Sequence, residues 1–342
     1  MSARGAPSSP AGLDRMDFET WSSARAEALA SNPGLLDAAE SNLYAALPSR
    51  FPGRFESIPE SPARAAAHRC HVAELFVARW GWPDDEKSRV GLTRGVRDSL
   101  AAVFGLLAAR GMRALIPSDV YPAYVTIARA AGLEFSAYRA RGGPPSEREL
   151  EGVGAALVCD PLKPWGGALS TSQAERLGSW ARADPSGRLL ILDAAYEVDW
   201  SPSARLLVEC GSAMGLASLS KGWLAPWLAG AAVAPPAWAP ATRAACGARP
   251  KEPGSLARAY QALSALPGRP GEVASAVGEL RERASAILSA RGEDPFGGPS
   301  GYMGASPRPA SWWFERGALA MPASVFGSAE GGSVLSCLAL GA

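Results

Sequence analysis

Lys221 closes an apolar run in the order Ser218-Leu219-Ser220-Lys221 and is followed by Gly222-Trp223. Partial burial disfavours an ammonium ion, so a lysine placed there tends toward the neutral amine, which can attack a carbonyl or carry a proton as a general base. Most lysines are simply solvated at a surface. A serine-rich turn between an apolar run and a tryptophan makes a poor surface. Two carboxylates also end apolar runs: Asp160 after Ala155-Ala156-Leu157-Val158-Cys159, and Asp193 after Leu189-Leu190-Ile191-Leu192. A helix cap or a turn is the ordinary alternative for an aspartate in either place.

The elements that must position these residues are legible from periodicity. The runs ending at Asp160 and Asp193 do not alternate, as expected of strands buried on both faces, and a helix over Thr171 to Ala183 separates them. Strands and helices in this order indicate a parallel sheet covered on each side, with ligands at the C-terminal strand ends, so Asp160 and Asp193 should face one crevice. Leu100, Val103, Phe104 and Leu107 share a helical face after Asp98; Arg113 to Pro117 reads as a strand and Val125 to Ala131 as a helix. Beyond Pro267-Gly268-Arg269-Pro270, the spacing of Val273, Val277, Leu280, Ala284 and Leu288 predicts a helix of about eighteen residues. The tail from Gly298 to Ala342 carries apolar strands among Gly, Pro and Ser. No repeat of fixed period is present.

The chain has 342 residues, 47% hydrophobic and 20% charged, enough for one large core with a smaller appended one. Lys and Arg number 34 against 33 for Asp and Glu, so no overall field draws the chain to nucleic acid or an anionic membrane, and small-molecule partners are expected. Cys70, Cys159, Cys210, Cys246 and Cys337 show no C-x-x-C or zinc spacing and read as buried reduced thiols; no metal is expected. Met1 to Asp14 lacks an apolar h-region, which points to a loose arm and a cytoplasmic location. Trp223 to Ala241 has nineteen residues without a charge, but Pro226, Pro235, Pro236 and Pro240 argue against a membrane span and for a strand with flanking loops. His68 and His71 lie three apart near Cys70 without a clear third ligand, and Trp312-Trp313 reads as core.

Six elements occur in order: Thr93-Arg94-Gly95-Val96-Arg97, Tyr121-Pro122-Ala123-Tyr124, Asp160-Pro161-Leu162-Lys163-Pro164-Trp165-Gly166, Asp193-Ala194-Ala195-Tyr196, Ser218-Leu219-Ser220-Lys221 and Pro322-Ala323-Ser324-Val325-Phe326-Gly327. Together they resemble the class I/II aminotransferase family, the fold type I enzymes of pyridoxal 5'-phosphate (PLP), as a divergent, aspartate aminotransferase-like member. The resemblance implies that Lys221 forms the imine with the cofactor and later moves the proton, and that Asp193 keeps the pyridine nitrogen protonated. It implies that Tyr196 donates to the phenolic oxygen, with Lys163 beside it, and that Tyr121 stacks on the ring. Gly95 and the amides of Val96 and Arg97, at a helix start, would receive the phosphate with the hydroxyls of Ser218 and Ser220.

Three departures from the family pattern bear on chemistry. The phosphate-holding arginine, seven or eight residues beyond the lysine, is replaced by Leu228 and Ala229, and Arg97, or after it Arg94, is the candidate substitute. The carboxylate-binding arginine, eight residues beyond the Phe-Gly pair, is Leu335, and no Arg or Lys occurs from Gly317 onward; Arg308 is the remaining candidate. An unpaired carboxylate in a dry pocket costs several kcal/mol, so the substrate either lacks that group or is held differently. Lys163 stands where the family has an asparagine, and Trp165 where it has a threonine.

The implied architecture is α/β: a large PLP-binding domain over residues 60–265 with a mainly parallel sheet flanked by helices. A smaller α+β domain comes from both termini, with 1–59 giving the arm and part of it and 266–342 the rest. A homodimer with sites at the subunit interface is likewise implied. The leading expectation is transamination of a small amine or amino acid whose carboxylate is absent or bound atypically. The rivals are elimination, cyclisation, decarboxylation or oxidation, as in capreomycidine synthase-like enzymes of specialised biosynthesis, and a catalytically degenerate binding protein.

Overall fold

The computed structural model describes residues 13–47, 62–79, 84–162, 164–195, 202–225, 228–248, 254–296 and 301–340. Seven strands form one sheet: β1 (Val90–Thr93), β2 (Ala114–Pro117), β3 (Phe135–Tyr138), β4 (Ala155–Cys159), β5 (Leu189–Asp193), β6 (Ala213–Ser218) and β7 (Gly230–Val233). Their spatial order is β1-β7-β6-β5-β4-β2-β3. β7 runs antiparallel to both its neighbours, and the remaining pairs are parallel. Every residue of β4 and β5 is buried, which is why these strands read as unbroken apolar runs. The path from β2 to β3 winds one way and that from β4 through β6 the other. The reversal opens a crevice at the strand ends between β2 and β4, next to Asp160 and Asp193.

Helix Val96–Ala109 covers the sheet with Leu100, Val103, Phe104 and Leu107, none of them measurably exposed. Helix Thr171–Arg182 starts at a capping box between Ser170 and Gln173 that satisfies free amides at its first turn. The segment predicted as a strand with loops holds β7 and then helix Ala239–Gly247, and among the described residues no helix is long and apolar enough to cross a membrane.

A second core forms from the two ends of the chain. Strand Leu36–Asp37 pairs in parallel with Ala318–Leu319, and a three-stranded antiparallel sheet joins Met303–Ser306, Met321–Pro322 and Ser333–Ser336. Helix Arg269–Ser289 contributes Val273, Leu280, Ala284 and Leu288, so it is a turn longer at its N-terminus than its apolar spacing predicts, with Pro270 in the first turn. Trp165 packs against both cores: its indole N–H donates to the Asp119 carbonyl at 2.8 Å, and its edge meets Phe326 with ring centroids 6.4 Å apart. On the same side Arg139 and Arg141 reach Glu330 at 2.5 and 3.6 Å.

Two expectations need correction. Cys70 and Cys210 are exposed, and only Cys159, Cys246 and Cys337 are buried; both exposed thiols sit on outward helix or turn positions that an apolarity scale cannot distinguish from inward ones. Trp313 is core, whereas Trp312 is half-buried beneath the guanidinium of Arg316, 3.8 Å from its ring centroid. His68 and His71 pack on the Tyr260 ring at 5.6 and 5.5 Å, and no group suited to a metal occurs among the described residues.

Candidate functional site

Gly95 sits between β1 and helix Val96–Ala109 at φ +156° and ψ 177°, a region that only glycine occupies without strain. β7 presses on it: a Cβ at Gly230 would lie 2.6 Å from the Gly95 Cα and 2.9 Å from its carbonyl carbon. Two absent side chains therefore let backbone meet backbone. The contact brings the start of the helix beside the Lys221 turn, since a Cβ at Gly95 would stand 3.8 Å from the Ser218 hydroxyl. The amides of Val96 and Arg97 open that helix, where N–H groups lack intrahelical acceptors and the dipole favours an anion.

Ser218 ends β6 and caps the short helix Leu219–Gly222: its hydroxyl accepts from the Ser220 amide at 3.1 Å and lies 2.8 Å from the Ser220 hydroxyl. The cap delivers Lys221 to a half-buried position. Burial first, and then the charge of Arg97, lower its pKa from 10.5 to about 8, while Glu40 opposes them. A substantial share of the neutral amine is thus present near physiological pH.

Asp193 ends β5, buried, with Oδ1 accepting from the Ala195 amide at 2.8 Å and Oδ2 accepting from the hydroxyl of Tyr124. Tyr124 is itself buried, and its hydroxyl lies 3.3 Å from the Cys159 sulfur. Burial and the Asp193 charge hold the phenol well above its ordinary pKa, so it remains a donor to the carboxylate. Asp160 is fully buried one strand away, its amide donating to the Asp193 carbonyl at 3.1 Å. Tyr121 stands edge-on to Tyr124 at 5.5 Å, and Arg97 donates to the Tyr121 hydroxyl with its guanidinium carbon 5.2 Å from that ring.

Gly95, Val96, Arg97, Tyr121, Asp193, Ser218, Ser220 and Lys221 are therefore gathered at one edge of the sheet. Lys163 and Tyr196, the remaining two residues singled out in the sequence, lie outside the described residues. The guanidinium of Arg94 points to Asp98, 3.6 Å away, whereas that of Arg97 faces Tyr121. Leu228 and Ala229, at the family's phosphate-arginine position, are buried apolar residues. Leu335 is fully buried in the second core, so its slot is filled by packing. Arg308, the remaining clamp candidate, is exposed, with Nε 3.4 Å from Glu293 and its guanidinium over Trp312.

Sequence reasoning missed the role of Tyr124, although it lies in the Tyr121-Pro122-Ala123-Tyr124 element. The available signal was the rule that a buried phenol must find an acceptor. It also missed Glu40, whose approach to Lys221 depends on a long-range packing of the N-terminal segment that no local pattern records.

The family model for aminotransferase class I and II matches residues 60–245, more than half of the chain. The chain belongs to this family. Members of the family depend on PLP, and the chain has the same α/β fold as the aspartate aminotransferase of Thermus thermophilus (a double mutant; TM-score 0.72, 17% identity, covering 98% of this chain and 95% of that one). It is also similar to the Escherichia coli methionine aminotransferase YbdL (TM-score 0.65, 16% identity, 92% of each chain). N-succinyldiaminopimelate aminotransferase from Mycobacterium tuberculosis gives a TM-score of 0.66 at 18% identity, over 97% of this chain and 96% of that one. No curated protein sequence matches it. The residues fit the cofactor: amides at a helix start beside the Ser218 and Ser220 hydroxyls, a lysine amine with its pKa lowered to about 8, and a buried carboxylate able to face a pyridinium.

Two outcomes test this geometry. Condensation of the apoprotein with PLP, followed by absorbance, should speed up with pH and level off near pH 8, where Lys221 is half deprotonated, instead of climbing to 10.5 as a solvated lysine would. Tyr124→Phe removes one donor to a charged partner and should lower kcat on the order of tenfold with little change in KM, as measured by steady-state kinetics on the loaded enzyme.

Proposed function

We propose that this protein is a PLP-dependent aminotransferase for a small amine or amino acid whose carboxylate is absent or held without an arginine clamp. The observation that carries the reading is the half-buried Lys221, with its pKa lowered to about 8, at the same sheet edge as the buried Asp193. Bound PLP supplies an electron sink for the carbon bearing the amine. In this reading Lys221 Nζ holds the cofactor and then takes and returns the proton at that carbon. Asp193 Oδ2, oriented by the Tyr124 hydroxyl, accepts from the ring N–H and keeps it protonated. Tyr121 covers one face of the ring, Tyr196 and Lys163 act at the phenolic oxygen, and the amides of Val96 and Arg97 with Ser218 and Ser220 take the phosphate.

Arg97 supplies the phosphate charge that Leu228 and Ala229 cannot. The Gly95–Gly230 contact supports this by setting the start of the Val96–Ala109 helix, which carries Arg97, next to Ser218. A cytoplasmic homodimer with residues 60–265 as its cofactor-binding part belongs to the same reading. The buried Leu335 also favours a second reaction on the same machinery, in which the amine is eliminated, cyclised, decarboxylated or oxidised without an acceptor keto acid.

Borohydride reduction of the PLP-loaded protein followed by peptide mapping should place the cofactor mass on Lys221, and a label elsewhere refutes the assignment. Carbonyl product accompanied by pyridoxamine phosphate supports transamination, whereas ammonia release without an acceptor supports the second reaction. Arg97→Ala should weaken PLP binding by about tenfold in an absorbance titration, the loss expected for one charge-assisted contact to phosphate. Unchanged affinity would return Arg97 to the role of a solvated side chain.

A further inference from the structure

The family's clamp position is closed by Leu335, and the wall beside it is built from the N-terminal segment. The Ser336 amide donates to the Ala38 carbonyl at 2.7 Å, and Ala38, Ala39 and Leu43 share one core with Leu335 and with Leu224, three residues past the lysine. Helix Leu43–Ala46 packs directly on helix Leu219–Gly222. The segment from Leu36 to Leu47 therefore contacts both the strand that carries Leu335 and the helix that carries Lys221, and it brings charges with it.

Those charges are acidic. Arg25 donates through Nε to Asp37 Oδ1 at 3.1 Å, through Nη2 to Asp37 Oδ2, and through Nη2 to Glu40 Oε2 at 2.9 Å. One guanidinium is shared by two carboxylates, so the group keeps one net negative charge and Arg25 is already engaged on both sides. Arg25 cannot act as the missing carboxylate clamp without first leaving both partners. Glu40 Oε1 accepts from the Asn42 amide at 2.7 Å, and a carboxylate has roughly four lone-pair sites, so capacity remains for a further donor. Its side chain is 22% exposed.

We infer that Glu40 is a specificity-determining residue that selects amines carrying a second cationic group, an ammonium or guanidinium a few carbons from the reacting amine, and disfavours amino acids with a free carboxylate. The inference rests on the aminotransferase reading above and narrows it. It stands on the packing of helix Leu43–Ala46, which starts three residues after Glu40, on the Lys221 helix, the engaged state of Arg25 and the apolar filling at Leu335. The charge of Glu40 is felt at Lys221, where it raises the affinity of the amine for a proton against the effects of burial and Arg97. A positive group docking on Glu40 would cancel that influence and favour the neutral, reactive lysine. A substrate carboxylate would meet a like charge and an apolar wall.

The test uses three amines of nearly equal length that differ in the charge at the far end: 1,4-diaminobutane (positive), n-pentylamine (neutral) and 4-aminobutanoate (negative). Each is titrated into the PLP-loaded enzyme, and its dissociation constant is read from the change in the visible cofactor band. The diamine should bind about tenfold tighter than pentylamine, the size expected of one charge-assisted hydrogen bond, and 4-aminobutanoate should bind weakest. Glu40→Gln should erase the preference for the diamine while leaving the cofactor band and the borohydride label on Lys221 intact. Equal affinities in the unmodified enzyme, tightest binding of the acid, or a diamine preference that survives Glu40→Gln overturns the inference. Should the Gln variant not fold, the order of the three amines on the unmodified enzyme decides. A saturated protein with no visible band and no label on Lys221 refutes the aminotransferase reading itself, before any amine is added.

Discussion

The contact between Gly95 and Gly230 sets the scale of the whole site. Backbone touching backbone leaves no adjustable side chain between β7 and the turn that starts the covering helix, so the separation is fixed by atomic radii. That spacing brings the helix start beside the hydroxyl pair of Ser218 and Ser220, and the capped turn then sets the exit direction of Lys221. Asp193 is one strand further along, one residue beyond an all-apolar run, and its carboxylate is oriented by the Ala195 amide and the Tyr124 phenol. A buried carboxylate and a half-buried amine are thus held on one edge of the sheet by regular secondary structure.

Much of this was legible in the residues because the physical causes are local. Leu189 to Leu192 cannot face water, so they had to form a strand covered on both sides, and Asp193 had to end it. Leu100, Val103, Phe104 and Leu107 could bury together only as a helix. The partners of the site were harder to read wherever they come from distant chain. Tyr124 and Asp193 are 69 positions apart, and nothing in either neighbourhood specifies that the phenol turns inward to that carboxylate. The charge of Glu40 acts on the lysine through a segment whose strand Leu36–Asp37 pairs with Ala318–Leu319, close to the opposite end of the chain. Arg308 is a further case: its contacts with Glu293 and Trp312 come from neighbours that no local pattern in the Gly- and Pro-rich tail records.

The departures from the family pattern share one electrostatic logic. At the positions where the resemblance leads one to expect arginines for phosphate and substrate carboxylate, this chain buries Leu228, Ala229 and Leu335, which places no cation in that low-dielectric region. Arg97 contributes to the lowered pKa of Lys221 from a place closer to solvent, where a guanidinium is less costly to hold. The lysine is poised mainly by desolvation, which does not require any neighbouring charge.

Trp165 ties the two cores together, with its N–H on the Asp119 carbonyl of one and its edge on Phe326 of the other, beneath Arg141. Gly327, the residue after Phe326, fits at φ +80° directly over the Ser118 carbonyl, where a Cβ would come within 2.7 Å. The seam between the cores is therefore stitched by an indole and a bare backbone instead of a flexible hinge. Separating them means breaking that hydrogen bond and that aromatic contact together with the Arg139 and Arg141 pairs to Glu330, so relative motion of the two cores is costly at this seam.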